Sequence, residues 1–349
     1  MHVLFAPAVF GSENMRVALA DNQRSVVLKS ASGLIVQEQA GHGLKRMQFK
    51  ADAIGSRPVR IRSRDDVVEV NGKSYRGMVE LRKKRNGLLL VINDLPLEVY
   101  LKGVVAAEIP FGWESEALKA QAVAARTYAL YQKKAAGARP YHILATVSSQ
   151  VYAGRQGEHA SVDRAVQETE GMVIVYDGEV IPAFYHSSCG GHTENASEMW
   201  GIDAPYLKGV DCECQEISKY GAWEKRMSAS LVTASLARLG YRLHDITDIG
   251  IESLTPAGRV KKLFIQHAKG VLSIPAETLR AAAGYPVIPS VFFEIALEGK
   301  EIVISGRGMG HGVGLCQWGA KEMAQRGYNY RSILSRYYPG TSLTLIERL

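Results

Sequence analysis

No apolar run in the 349-residue sequence reaches the ~18 residues that a membrane-spanning helix needs, so no membrane anchor is expected from it. Cysteine is scarce. Cys189, Cys212, Cys214 and Cys316 are the whole complement, and the first three are near enough in sequence to meet. No Gly-x-Ser-x-Gly elbow is present, which argues against a serine nucleophile. No Lys-Ser/Thr pair follows the glycine-rich stretch near the C-terminus, so a phosphate-cradling loop is not expected. No basic stripe interleaved with aromatic residues runs along the chain, and no nucleic-acid partner is expected. Internal repeats and low-complexity tracts are also missing.

What is present is an ordinary globular composition, 46% hydrophobic and 22% charged, in a chain long enough for about two domains. The 34 glycines point to turns and bulges in a strand-rich fold. Lysine and arginine outnumber aspartate and glutamate by 42 to 35, giving a net charge of +7 that favours an acidic partner such as a cell-wall polymer or an anionic membrane face. The opening "MHVLFAPAVFGSEN" has the apolar centre of an export signal, but the centre is short and no basic residue precedes it. Residues 1–14 are therefore expected to be a leader remnant or a disordered start.

The texture of the chain predicts an α+β fold. Residues 15–94 alternate or cluster β-branched residues and carry an Asn-Gly hairpin signal in "VNGKSY", which predicts a β-rich N-terminal region. Residues 95–214 are expected to form the first part of a mixed α/β catalytic core. Here "GLLLVINDLPLEVYLKGVV" reads as strand-forming, residues 114–136 as a helix ended by a Gly-then-Pro stop, and 159–171 as a second helix. Residues 215–298 read as an inserted α/β region forming one side of a cleft, with a hairpin in "IGIESLTPAGRVKKLFIQ". Residues 299–349 return to the core as its second part.

Four motifs could carry chemistry. In "GVVAAEIPFGW" (103–113) a single carboxylate, Glu108, stands among apolar residues. Desolvation there would raise its pKa and let it hold a proton near neutral pH; the plainer alternative is a solvated glutamate at a strand–helix joint. In "FYHSSCGGHTENASEMWG" (184–201), His186, Ser187, Cys189 and His192 crowd a Gly-Gly turn. Cys189, His192, Cys212 and Cys214 would make a closed zinc set, with His186 the other imidazole on offer and a disulfide from Cys189 to Cys212 or Cys214 as the rival. In "GRGMGHGVGLCQWGAKEMA" (306–324) six glycines surround His311, then Cys316, Gln317 and Trp318. That backbone suits a cleft floor approached closely by a polymer, or a tight connection around a buried histidine. Cys316 is left without a role beyond filling space. In "TVSSQVYAG" (146–154), Gln150 and Tyr152 offer an amide and a phenol of the kind that read sugars.

These four motifs, in this order, strongly resemble the family of stage II sporulation protein D and the amidase-enhancer proteins, over roughly residues 15–349. The resemblance implies a bacterial, exported, wall-facing lytic transglycosylase acting on peptidoglycan glycan strands, preferably strands already stripped of stem peptides by an amidase. The family's catalytic acid lies in its Val-Val-x-x-Glu-Met-Pro motif, which maps onto Glu108, with Ile109 in place of the methionine. Gln150, Tyr152, His186, Ser187, His311 and Gln317 are then the expected sugar-contacting residues, and no cofactor is needed for the chemistry. Two other readings stay open: a non-catalytic wall-binding amidase activator, and a zinc-dependent peptidoglycan hydrolase.

Overall fold

The computed structural model of the protein describes residues 13–37, 43–146 and 149–349. The expected leader remnant therefore lies outside the described residues except for Glu13 and Asn14, and so do Val147 and Ser148 of the fourth motif. Helices (29%) and strands (35%) share the chain in several separate sheets, an α+β fold. The chain divides into two compact units. The first takes the described residues up to Ile174 together with Gly178–Pro182 and Thr344–Leu349; the second takes Val175–Asp177 and Ala183–Leu343.

In the first unit a six-stranded sheet runs in the order Ile143–Leu144, Asn14–Gln23, Leu89–Pro96, Met78–Lys83, Val59–Ser63, Leu34–Val36. A four-stranded sheet lies beside it in sequence, and its hairpin Val67–Val70/Lys73–Arg76 turns at Asn71-Gly72. Both turn residues have positive φ, 47° and 89°, which is what a two-residue primed turn requires and why Asn-Gly occupies it. The strand Leu89–Pro96 is buried along nearly its whole length.

The apolar stretch read as one strand-forming segment is in fact two elements. The strand stops at Pro96, and α1 (Leu97–Glu108) follows at once. Tyr100, Leu101, Val104 and Val105 repeat at helical spacing and bury one face. α2 (Ser115–Ala136) packs alongside with a stripe of alanines, and α3 (Ala160–Glu168) completes the helical layer.

Arg126 fixes this layer. It is fully buried on α2, donates two hydrogen bonds of 2.7 Å to the carboxylate of Glu98 on α1, and reaches the carbonyls of Val166 and Met172. Breaking a buried pair strands its partners. Because Glu98 is partly solvated, Arg126→Met should lower the unfolding free energy by roughly 3 kcal/mol, at the low end of that range, as read by urea denaturation.

The second unit has a core of its own, built by Leu236, Leu263, Ile265, Leu279, Ile302 and Ile304 among others. It contains the antiparallel sheets Trp223–Ser228/Glu301–Gly306/Phe293–Glu298 and Ile246–Leu254/Val260–His267/Gly270–Pro275. The second of these includes the expected hairpin. A short parallel pair, Tyr185–His186 with Leu315–Cys316, brings the histidine-cysteine motif against the glycine-rich one.

Candidate functional site

Glu108 is the last residue of α1, not a residue between strand and helix. Pro110 disfavours helical backbone at the residue before it, and Ile109 is extended at φ −135°, ψ 151°. The Ile-Pro pair is thus a helix stop that leaves the glutamate at the helix end. Glu108 is half-buried, and its Oε1 accepts a 2.9 Å hydrogen bond from the backbone N–H of Val151. That amide fixes where the carboxyl points.

The loop that carries the amide is held from behind. Gln150 is fully buried, accepting from the Tyr100 hydroxyl at 3.0 Å and donating to the Ala125 carbonyl at 3.1 Å. Tyr152 is also buried, with its hydroxyl donating to Asn93 Oδ1 at 3.0 Å and its ring against Tyr75 and Tyr100. From sequence alone both are expected to contact sugar. Their burial removes them from the surface, and they serve as anchors that present Val151 to Glu108. Gly103 makes this packing feasible, because a Cβ there would lie 2.6 Å from the Tyr152 ring and 2.8 Å from the Gly154 carbonyl oxygen. Gly103→Ala should therefore displace the loop from Glu108, read as faster amide hydrogen exchange at Val151. Circular dichroism and melting temperature would separate this from general unfolding.

In the second unit His186 and His311 lie with ring centroids 5.4 Å apart. His311 Nδ1 accepts from the Val313 N–H, so Nε2 carries the proton and donates to the Tyr185 carbonyl at 3.0 Å. Both nitrogens are thereby engaged with backbone, and burial pulls the pKa down to about 4. The neutral ring, partly exposed and 4.9 Å from that of Trp200, offers a face and no charge. His186 is buried, with Nδ1 bonded to the Val313 carbonyl, and burial holds its pKa well below the usual range. Neither imidazole supplies positive charge at neutral pH. Ser187 is half-buried, and its carbonyl accepts from the Trp318 N–H; Gln317 is buried.

The four cysteines converge. Their Sγ atoms all lie within 4.8 Å of one another, all buried and none in a disulfide. Cys189 and Cys214 sulfurs stand 3.4 Å apart, well beyond the ~2.05 Å of an S–S bond. A tetrahedral ion with bonds of ~2.3 Å would hold its sulfurs ~3.8 Å apart, close to what is seen. Cys316, unassigned by the sequence, is the fourth donor. His192 is not part of the cluster: its Nδ1 faces the Thr193 carbonyl and its Nε2 lies 3.8 Å from the Asp211 carboxylate.

The surroundings suit thiolates. The N–H groups of Cys189 and Gly319 point at Cys316 Sγ from 3.3 and 3.4 Å, the Tyr337 hydroxyl lies 3.2 Å from Cys212 Sγ, and the Ser188 hydroxyl 3.7 Å from Cys214 Sγ. Protons are unevenly shared. Hydrogen bonds from the thiols of Cys189, Cys212 and Cys316 hold Cys214 low, while burial pushes Cys189 and Cys316 up. Full ionisation of such a cluster needs a cation inside it. The set therefore fits a metal ion. Gly319 admits it sterically, since a Cβ there would meet the Tyr337 hydroxyl at 1.9 Å and Cys212 Sγ at 2.4 Å.

Comparison with known proteins places this architecture. Residues 84–176 match the family model described as stage II sporulation protein, and residues 195–314 match a domain of unknown function (DUF8618). Stage II sporulation protein D of Bacillus subtilis is 32% identical over 270 residues, which cover 72% of this chain and 76% of that protein. The chain belongs to the stage II sporulation protein D family. An uncharacterised protein of Brachyspira hyodysenteriae is 36% identical over 81% of this chain and 76% of its own length. The amidase enhancer of Bacillus subtilis is 32% identical over 70% of this chain, but the match spans only 40% of that protein.

In this sporulation protein D homologue, several site residues escaped the sequence. The Val151 amide carries no side-chain signal at all. Tyr100 and Arg126 hid within helix patterns, although an arginine inside "AVAARTYAL" is a polar residue out of place on an apolar face. Cys316 carried the clearest missed signal, because four cysteines match the coordination number of a closed tetrahedral site.

Proposed function

We propose that this protein is an exported peptidoglycan lytic transglycosylase, cleaving the MurNAc–GlcNAc bond of glycan strands stripped of stem peptides and leaving 1,6-anhydro-MurNAc ends. The observation that carries this reading is Glu108, a half-buried carboxyl at a helix end aimed by the Val151 amide, at the position of the family's acid. Glu108 protonates the glycosidic oxygen as the bond to the muramic C1 breaks. The muramic C6 hydroxyl then closes on C1 and returns its proton to Glu108. The cycle restores the carboxyl and consumes no water, so a second catalytic carboxylate of the glycosidase kind is unnecessary. The internal nucleophile supplies proximity.

Zinc is the cation we assign to Cys189, Cys212, Cys214 and Cys316. Four sulfur donors leave no open position, so the ion serves folding and not turnover, which speaks against the zinc-hydrolase reading. The relative named amidase enhancer favours a second reading, a wall-binding module that activates a cell-wall amidase without cleaving glycan itself. Mass spectrometry of soluble products from intact and amidase-stripped peptidoglycan decides between them. Anhydro-muramic ends, more abundant from the stripped substrate, are expected. Reducing ends would mean a hydrolase, and binding without products would mean the activator.

A further inference from the structure

Arg259 is a buried cation with donors to spare. Its side chain is 1% exposed and sits just before the strand Val260–His267, at the turn of the second unit's hairpin. Nη2 donates to the carbonyls of Cys189 at 2.7 Å and His192 at 2.9 Å. Nε and Nη1 are buried and make no hydrogen bond among the described residues. The nearest carboxylate, Glu194, lies 3.9 Å from Nε. Its oxygens already accept from the Thr255 hydroxyl and the Asn195 N–H. A second guanidinium adds to the imbalance: Arg259 and Arg307 both lie over the Phe292 ring, 4.9 and 4.0 Å from its centroid. Glu194 is the one carboxylate within 4 Å of Arg259 among the described residues and already accepts two hydrogen bonds, which leaves much of the buried guanidinium charge unmatched. Buried charge of this kind calls for a counter-charge.

A divalent ion on four thiolates carries a net charge of −2, and the Cys189 backbone to which Arg259 binds is part of that site. We propose that Arg259 is the built-in counter-cation of the four-cysteine metal site, contributed by the hairpin and locking it to the metal-binding loops. The inference rests on the metal reading above. It makes Arg259 a positioning residue for the metal, outside the glycan chemistry.

The test uses the full chain, purified with reductant and loaded with Zn²⁺, as wild type, Arg259→Gln and Arg259→Lys. Zinc release to a chromogenic chelator and the melting temperatures of apo and loaded forms are measured. Arg259→Gln should release zinc about 10- to 100-fold faster, the scale seen for outer-shell partners of metal ligands. Its gain in melting temperature on loading should shrink. Arg259→Lys keeps the charge and should recover most of the slow release. Equal release rates for Gln and wild type would overturn the proposal. So would a drop in melting temperature of the same size in apo and loaded Gln variants, because that is lost packing alone. If the wild type takes up no zinc and Co²⁺ raises no thiolate-to-metal charge-transfer band, the metal reading itself fails, a result distinct from the other two.

Discussion

Glu108→Gln should release soluble glycan products at least 10²-fold more slowly than wild type, and up to 10⁴-fold, the usual range for general acid–base help. The variant is well suited to the question. A glutamine carbonyl oxygen can still accept the Val151 N–H that now reaches Oε1 at 2.9 Å, so the side chain keeps its direction and loses only its transferable proton. Binding to stripped glycan strands and the melting temperature should stay near wild type. Single-turnover product release by mass spectrometry gives the rate, and a pull-down on peptidoglycan gives the binding. Unchanged turnover would place the acid elsewhere. Unchanged amidase stimulation alongside absent turnover in both proteins would support the activator reading.

Cys316→Ser should remove most of the bound metal and destabilise the second unit by several kcal/mol, a large part of the 5–15 kcal/mol that typically separates folded from unfolded protein. The serine oxygen is a poor substitute for a sulfur whose position is already set by the Cys189 and Gly319 amides at 3.3 and 3.4 Å. His192→Ala is the matched control. Its imidazole lies outside the sulfur cluster, so metal content should not change. Elemental analysis of the purified proteins and melting with and without chelator read both outcomes. Metal lost from His192→Ala and kept by Cys316→Ser would reverse the assignment of the fourth ligand.

Local signals in this sequence were legible where one rule dominates. Asn71-Gly72 announced a primed turn, because few other pairs tolerate two positive φ values. The helix over α2 followed from an uninterrupted run of good helix formers ended by glycine. The strand-to-helix change at Pro96 was missed because the strand is buried on both faces and its apolar run continues straight into the apolar face of α1, which blurs the change of period. The proline itself was the available clue. Glu108 stood out as a polar residue in an apolar stretch, whereas Gln150 and Tyr152 drew attention as an amide and a phenol of the kind that read sugars and lie buried behind the loop. Residue type cannot distinguish a group that meets ligand from one that holds the loop behind it; only burial and partners do. The cysteine cluster was three-quarters legible, since three of its members crowd one stretch of chain and the fourth arrives from more than a hundred residues away.

That separation bears on the order of folding. Cys189 and Cys316 are 127 residues apart. A chain made from its N-terminus cannot complete the cluster until Cys316 has been added, long after Cys214. The first unit's sheet and helices use contacts available much earlier, and domains generally fold as units in the order they appear. Closing so long a loop carries an entropic cost that grows only with the logarithm of its length, so lateness, not length, is the constraint. The loops that carry Cys189, Cys212 and Cys214 therefore wait with free thiols until Cys316 joins them. Until then the three earlier thiols must be kept from pairing with one another, as they are in the folded protein, where none of the four is in a disulfide.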